Sequence, residues 1–239
     1  MIEKFIKKKE LPPATFAFSF GGSNLNALCS WSGGKDSCFA LMQAIKQNYV
    51  PKVLLNVLNE EGKISRSHGI PAAILQLQAN ASGLPITMIS SSWDDYETKF
   101  TATLSQLKNE YNLAHAVFGD IDLQAHRDWE EKVCANAGLT ALLPLWQQDR
   151  EQLVMEMLDA GITTMIVSCN ETLGPSFLGR VIDKECIIDL RNAGVDVCGE
   201  NGEFHTLVID CPLFSEAIPV DMGEKILHEK YWFAQLTAK

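Results

Sequence analysis

From Ala27 onward, short β-rich runs alternate with amphipathic helical stretches, and few folds accept that order. Strand signals fall at 27–31, 53–57, 86–89 and 115–118, and the spacing predicts helices over 37–48, 71–82, 94–112 and 123–137. A strand–helix–strand unit of this kind closes as a right-handed crossover, so the strands lie parallel and helices cover both sheet faces. The helices rest on periodicity. Cys38, Leu41, Met42 and Ile45 share one face, and Tyr96, Phe100, Leu104, Leu107 and Tyr111 recur at three and four residues. Pro71 suits a first helical turn, Gly83 and Gly138 suit helix stops, and Asp94 with Glu97 spells a capping box. In such sheets ligands bind beyond the carboxyl ends of the strands, where the loops 32–37, 56–69 and 119–127 lie.

Pro144-Leu145-Trp146 marks a break. Beyond it a helix is predicted over 149–160, with Asp149 and Gln152 as a capping box and Gly161 as its stop. A strand follows at 163–167 and a helix at 183–192, ended by Gly194. The stretch 195–210 reads as two strands around the polar turn Cys198-Gly199-Glu200-Asn201-Gly202-Glu203. A chain of 239 residues buries enough apolar surface to need no covalent staples. Its seven cysteines form no C-x-x-C pair, which argues against a zinc ribbon, an iron–sulfur site or a disulfide framework. It favours reduced, buried thiols in a cytoplasmic protein. No apolar run approaches a membrane span. The net charge of −10 disfavours nucleic acid as a partner, and the one dense basic run, Met1 to Lys9, reads as a solvated tail.

The most informative segment is Ser32-Gly33-Gly34-Lys35-Asp36-Ser37, which follows a strand and opens a helix. A helix amino terminus presents unpaired N–H groups and partial positive charge, and paired glycines let the backbone curl around an anion. Ser32 and Ser37 can donate hydroxyl hydrogen bonds, and Lys35 adds a point charge. Asp36 belongs beside phosphates if it holds Mg²⁺. The Walker A spacing is absent. The bland alternative is a tight strand-to-helix turn with a serine cap.

This loop resembles the signature of the ATP pyrophosphatase (PP-loop) superfamily. The resemblance implies a five-stranded parallel sheet of the adenine nucleotide α-hydrolase type, with ATP and Mg²⁺ across its carboxyl edge. A second motif, Glu200-Asn201-Gly202-Glu203-Phe204-His205-Thr206, stands in order with the loop, with Gly119-Asp120, with Arg127-Asp128-Trp129-Glu130-Glu131 and with Pro144-Leu145-Trp146. Together they resemble the diphthine–ammonia ligase family, whose members amidate a carboxylate with ammonia and ATP and release AMP and pyrophosphate. The family pattern at the second motif is E-G-G-E-[YF]-E-[TS], from which Asn201 and His205 depart. That variant is similar to a bacterial branch associated with cobalamin metabolism.

On this reading residues 1–26 are an extension, 27–144 the ATP-binding domain and 145–239 a smaller α+β substrate lobe. Ser32, Gly33, Gly34, Asp36 and Ser37 bind phosphates and Mg²⁺. Lys35 is a weaker catalytic candidate because its side chain can reach solvent. The strand edge near Asn56 takes adenine through backbone groups. His68 contacts phosphate or substrate, or lies in a solvated loop. Asp120 is a ligand-binding carboxylate or a turn residue. Arg127 neutralises phosphate, or pairs with Glu130 or Glu131 as a structural bridge, and Glu131 also stands as a substrate contact. Glu200, Asn201 and Glu203 face substrate, the two acids binding ammonium or orienting the nucleophile unless they sit in a solvated hairpin turn. His205 contacts the acceptor or moves a proton. ATP, ammonia and an unidentified carboxylate are the expected partners, and a homodimer stays compatible with the sequence. Two other classes remain open: a tRNA-modifying enzyme with the same loop, and a nucleotide-binding or nucleotide-hydrolysing module without ligase activity.

Overall fold

The computed structural model describes residues 24–239. Residues 1–23, with the basic run and most of the expected extension, lie outside the described residues. Five strands, β1 (Asn26–Ser30), β2 (Val50–Leu58), β3 (Ile86–Ser90), β4 (His115–Val117) and β5 (Thr140–Leu142), form one parallel sheet in the order β3-β2-β1-β4-β5. The helices between them are α1 (Lys35–Lys46), α2 (Ala72–Ser82), α3 (Tyr96–Tyr111) and α4 (Gln124–Ala137). Strand order reverses at β1, so the loops after β1 and β4 diverge and leave a crevice between them.

The second lobe carries α5 (Arg150–Asp159), α6 (Lys184–Asn192) and an antiparallel sheet ordered β7-β6-β9-β8. Its strands are β6 (Thr163–Asn170), β7 (Phe204–Asp210), β8 (Val220–His228) and β9 (Tyr231–Ala238). The apolar core runs from α1 and α2 through to β6, β7 and α6, so the two sheets share one buried body. A smaller cluster of Leu28, Phe100, Leu104, Leu107, Phe118 and Val133 seals the other face of the parallel sheet. All seven cysteines are buried and unpaired.

Several local expectations need correction. Ile45 is exposed while Phe39 and Ala40 are buried, because α1 is covered by both sheets rather than along one stripe. The capping box at Asp94 does not form. Asp95 is the cap residue and its carboxylate accepts from Ser92 N–H, while Glu97 takes Trp129 Nε1 and Lys132. Asp149 does cap α5, accepting from Gln152 N–H at 2.9 Å, but Gln152 turns to Glu156 instead of reaching back. The stretch 195–203 holds no strand. Asp196 gathers the N–H groups of Cys198 and Glu200 into a turn, and pairing to β6 begins only at Phe204. Strands β5, β8 and β9 carried no clear sequence signal.

Candidate active site

The glycine pair ends β1 and starts α1. Gly33 has φ +85°, and a Cβ there would stand 2.9 Å from both Gln78 Oε1 and Leu75 Cδ2, so only glycine fits. The amides of Gly34 and Lys35 donate to hydroxyls, Ser32 Oγ at 3.2 Å and Thr206 Oγ1 at 3.0 Å. Those of Gly33, Asp36 and Ser37 have no protein acceptor among the described residues. Ser32 and Ser37 bond to each other at 3.0 Å and open into a cavity of about 600 Å³. Lys35 does not reach solvent. It is buried, its Nζ lies 2.9 and 2.8 Å from the two Asp36 oxygens, and it sits 5.7 Å over the Phe204 ring. Burial works against its charge, yet the Asp36 carboxylate outweighs that and raises its pKa.

The opposite wall is the second motif, delivered by the start of β7. Thr206 takes the Lys35 amide on its hydroxyl and the His68 Nδ1–H on its carbonyl at 2.8 Å. The His68 and His205 rings stand 4.7 Å apart. Burial disfavours the charged form of both, and His205, with His68 and Lys35 beside it, is pushed down to about 3. Two uncharged imidazoles therefore line this wall at neutral pH. Burial, with Asp36 nearby, pushes the Glu200 carboxyl up to about 7, while its Oε1 accepts from Ile121 N–H at 3.2 Å.

A third group closes the side. Asp120 leaves β4 and accepts from His126 Nδ1 at 2.7 Å. Behind it Glu130 is buried on α4, and burial beside Asp120 pushes its carboxyl up to about 11, so it stays a neutral acid. Burial opposes the Asp120 charge, but the His126 hydrogen bond holds this carboxyl below its ordinary value. Arg150 clasps the lobes together, bonding both oxygens of Asp122, then Asp196 and Asn201.

The cavity brings together Ser32, Lys35, Asp36, Ser37, His68, Asp120, Glu200, Asn201 and His205. Other candidates stand apart. Arg127 pairs with Glu131 at 2.7 Å on the outer face of α4 and stacks on Trp146, which is the structural-bridge alternative. Glu203 turns from the cavity to Asp196 N–H and Asn201. Asn56 lies in an adjoining recess with Tyr96 and Arg66, its Nδ2 donating to Trp31 carbonyl. Sequence reasoning missed His126, Thr206, Gln78 and Arg66. Thr206 closes the second motif and His126 adjoins the Arg127 run, so both were within reach, whereas a lone glutamine on α2 or an arginine in the loop before it carries no signal. Gly119 was seen only as a motif letter. A Cβ there would lie 2.8 Å from the Asp36 carbonyl carbon and the Ser37 nitrogen. Gly119→Ala should therefore push the phosphate loop aside, costing about 1–3 kcal/mol of stability. Calorimetric titration with ATP and Mg²⁺ should show lost affinity, and unchanged affinity would mean that the loop yields without consequence.

The residues present fit a nucleotide triphosphate with its magnesium. Three unpartnered amides at a helix amino terminus suit phosphate oxygens, and a carboxylate two residues beyond Gly34 suits the cation.

The pattern of the diphthamide synthase N-terminal domain matches residues 25–141, and that of the diphthamide synthase C-terminal domain matches residues 149–238. The human protein named diphthine–ammonia ligase is 31% identical over 228 residues, covering 85% of each chain. The mouse protein of that name is 29% identical with the same coverage. The fission-yeast one is 28% identical over 82% of this chain but only 36% of its own length. A solved structure described as a predicted subunit of a tRNA methyltransferase from Methanocaldococcus jannaschii superposes with a TM-score of 0.42 at 15% identity over 78% of this chain, too distant to bear on function.

Proposed function

The chain belongs to the diphthamide synthase family, and on that premise we propose that it is an ATP-dependent amide ligase that joins ammonia to a substrate carboxylate and releases AMP and pyrophosphate. The observation that carries this reading is the meeting of two walls. Asp36 and Ser37, whose amides have no protein acceptor among the described residues, line the same cavity as Glu200, His205 and Thr206 of the second motif. Residues 27–144 hold ATP, and residues 145–239 present the acceptor. Among the described residues no helix is long and apolar enough to cross a membrane, and we place the protein in the cytoplasm.

Catalysis asks for charge stabilisation at the α-phosphate and for proximity. The loop amides and the Ser32 and Ser37 hydroxyls supply fixed donors. Asp36 would hold Mg²⁺, which spreads phosphate charge when bound. Lys35, buried and locked to Asp36, keeps that carboxylate oriented. Glu200 lines the cavity where an ammonium ion would be attracted.

The relatives' names specify diphthine and ammonia. We carry over ammonia and the carboxylate class, and we favour a small-molecule acceptor of the bacterial branch over diphthine. Where the family pattern has glycine and a carboxylate, this cavity presents Asn201 and an uncharged His205. The test is a screen for AMP and pyrophosphate with ATP, Mg²⁺ and ammonium. Diphthine-bearing elongation factor 2 and small carboxylates, cobalamin precursors included, serve as acceptors. AMP should form only when ammonium and one acceptor are both present. Release of ADP, or AMP formation indifferent to acceptor, would remove the ligase reading.

A further inference from the structure

We propose that His126, held by Asp120, is the base that deprotonates the ammonium nucleophile, an inference that rests on the amide-ligase reading. Ammonium has no lone pair, so it must lose a proton before it can attack. In the step inferred here, an ammonium proton passes to His126 Nε2. The freed lone pair forms the C–N bond at the activated acyl carbon. The bond from that carbon to the phosphate oxygen breaks, and its electrons leave with AMP. A second proton departs to water as the neutral amide forms.

The geometry favours His126 over its neighbours. Its Nδ1 lies 2.7 Å from Asp120 Oδ1, which leaves Nε2 as the unengaged ring nitrogen. The ring lines the same cavity as Ser32, Asp36 and Ser37. Glu130, one turn along α4, is buried beside Asp120. This is the arrangement in which a carboxylate fixes an imidazole's tautomer and steadies its protonated form. The charged groups facing His126 are Asp120 from the loop after β4 and Glu200 from the motif turn. The Asp120 contact holds the imidazole above its ordinary pKa, which suits a base working near neutrality. The other imidazoles serve less well. His68 also has a free Nε2, but its Nδ1 rests on an uncharged carbonyl and burial lowers its proton affinity, and His205 binds a proton more weakly still. Lys35 is locked to Asp36. Asp120 is then a positioning residue rather than a nucleotide ligand.

The test compares two nucleophiles. Hydroxylamine is uncharged at neutral pH and needs no prior deprotonation, whereas ammonium does. With the acceptor found in the screen, His126→Ala should lower amide formation from ammonium about 10²-fold or more. It should form hydroxamate from hydroxylamine within a few-fold of the wild type. An equal loss with both nucleophiles would overturn the proposal. Acceptor-dependent exchange of labelled pyrophosphate into ATP reads the first half-reaction alone and should persist in the variant. Its absence from the wild-type protein would sink the ligase reading instead. Nitrogen NMR of the imidazoles needs no acceptor. It should find His126 protonated at Nδ1 and bare at Nε2 above its pKa, and the reverse tautomer would rule this base out.

Discussion

Asp36→Asn should reduce acceptor-dependent pyrophosphate release at least 10²- to 10³-fold, about the loss seen when one oriented charge-stabilising group is removed, and it should also lower stability. Both effects come from one carboxylate. It sits at the amino end of α1, lines the cavity, and bonds both of its oxygens to Lys35 Nζ. Asparagine keeps the shape but has one oxygen and no charge, so the magnesium-bound triphosphate proposed for this cavity would lose its protein anchor. Lys35 then remains buried with its nearest counter-charge gone. Breaking a buried pair from one side costs about 3–5 kcal/mol. Asp36 is a quarter exposed and Glu200 stays nearby, so about 1–3 kcal/mol is expected here. Melting curves and nucleotide titrations separate the two effects. Lys35→Met with Asp36→Asn removes the buried charge as well, and should recover stability without recovering turnover. Pyrophosphate release within two-fold of the wild type would show that Asp36 does no metal or phosphate work.

How far the sequence foretold this arrangement depends on how local each signal is. The parallel sheet was legible because helix stops such as Gly83 and Gly138, both in the left-handed region, and the stripe of Phe100, Leu104 and Leu107 act within one element. The strand-to-helix junction at Gly33 and Gly34 was legible because two consecutive glycines between an apolar run and a helical stripe mark a tight turn. The short strand β5 has three residues and little pattern. Strand β8 is exposed on nearly every residue, so no alternation marks it. The Glu200 turn read as a hairpin because its glycines suit one, yet Asp196 and Arg150 organise it from 46 residues apart. Lys35 read as a surface residue because lysine usually is one. Its burial depends on Phe204 and Asp36, which come together only after the lobes dock.

Gln78 is the extreme case, and Gln78→Leu should cost about 3 kcal/mol and lower the melting temperature by about 6–12 °C. Alone on α2 among Ile74, Leu75, Ala79 and Ala81, it is fully buried. Its Oε1 accepts from Trp31 Nε1 at 2.9 Å, and its Nε2 donates to the carbonyls of Gly33 at 3.0 Å and Val208 at 2.8 Å. One amide therefore joins the end of β1, the phosphate loop and β7 of the other lobe. Leucine matches its volume and suits the apolar surroundings, so packing alone predicts little loss. The loss comes from polar groups left without partners. Trp31 Nε1–H has no other acceptor in place, and the Val208 carbonyl loses its donor. Gly33 keeps one bond from Val208 N–H and suffers less. Gln78→Glu sharpens the test, since it keeps an acceptor for Trp31 but turns an oxygen toward two carbonyls. It should be no more stable than Gln78→Leu at neutral pH. Because Gly33 and Val208 flank the cavity's two walls, both variants should also bind ATP with Mg²⁺ more weakly, at protein concentrations and temperatures where they remain folded. If Gln78→Leu melted within about 1 °C of the wild type, the lobes would be held by apolar contact alone, and the seating of the second motif against the phosphate loop would need another explanation.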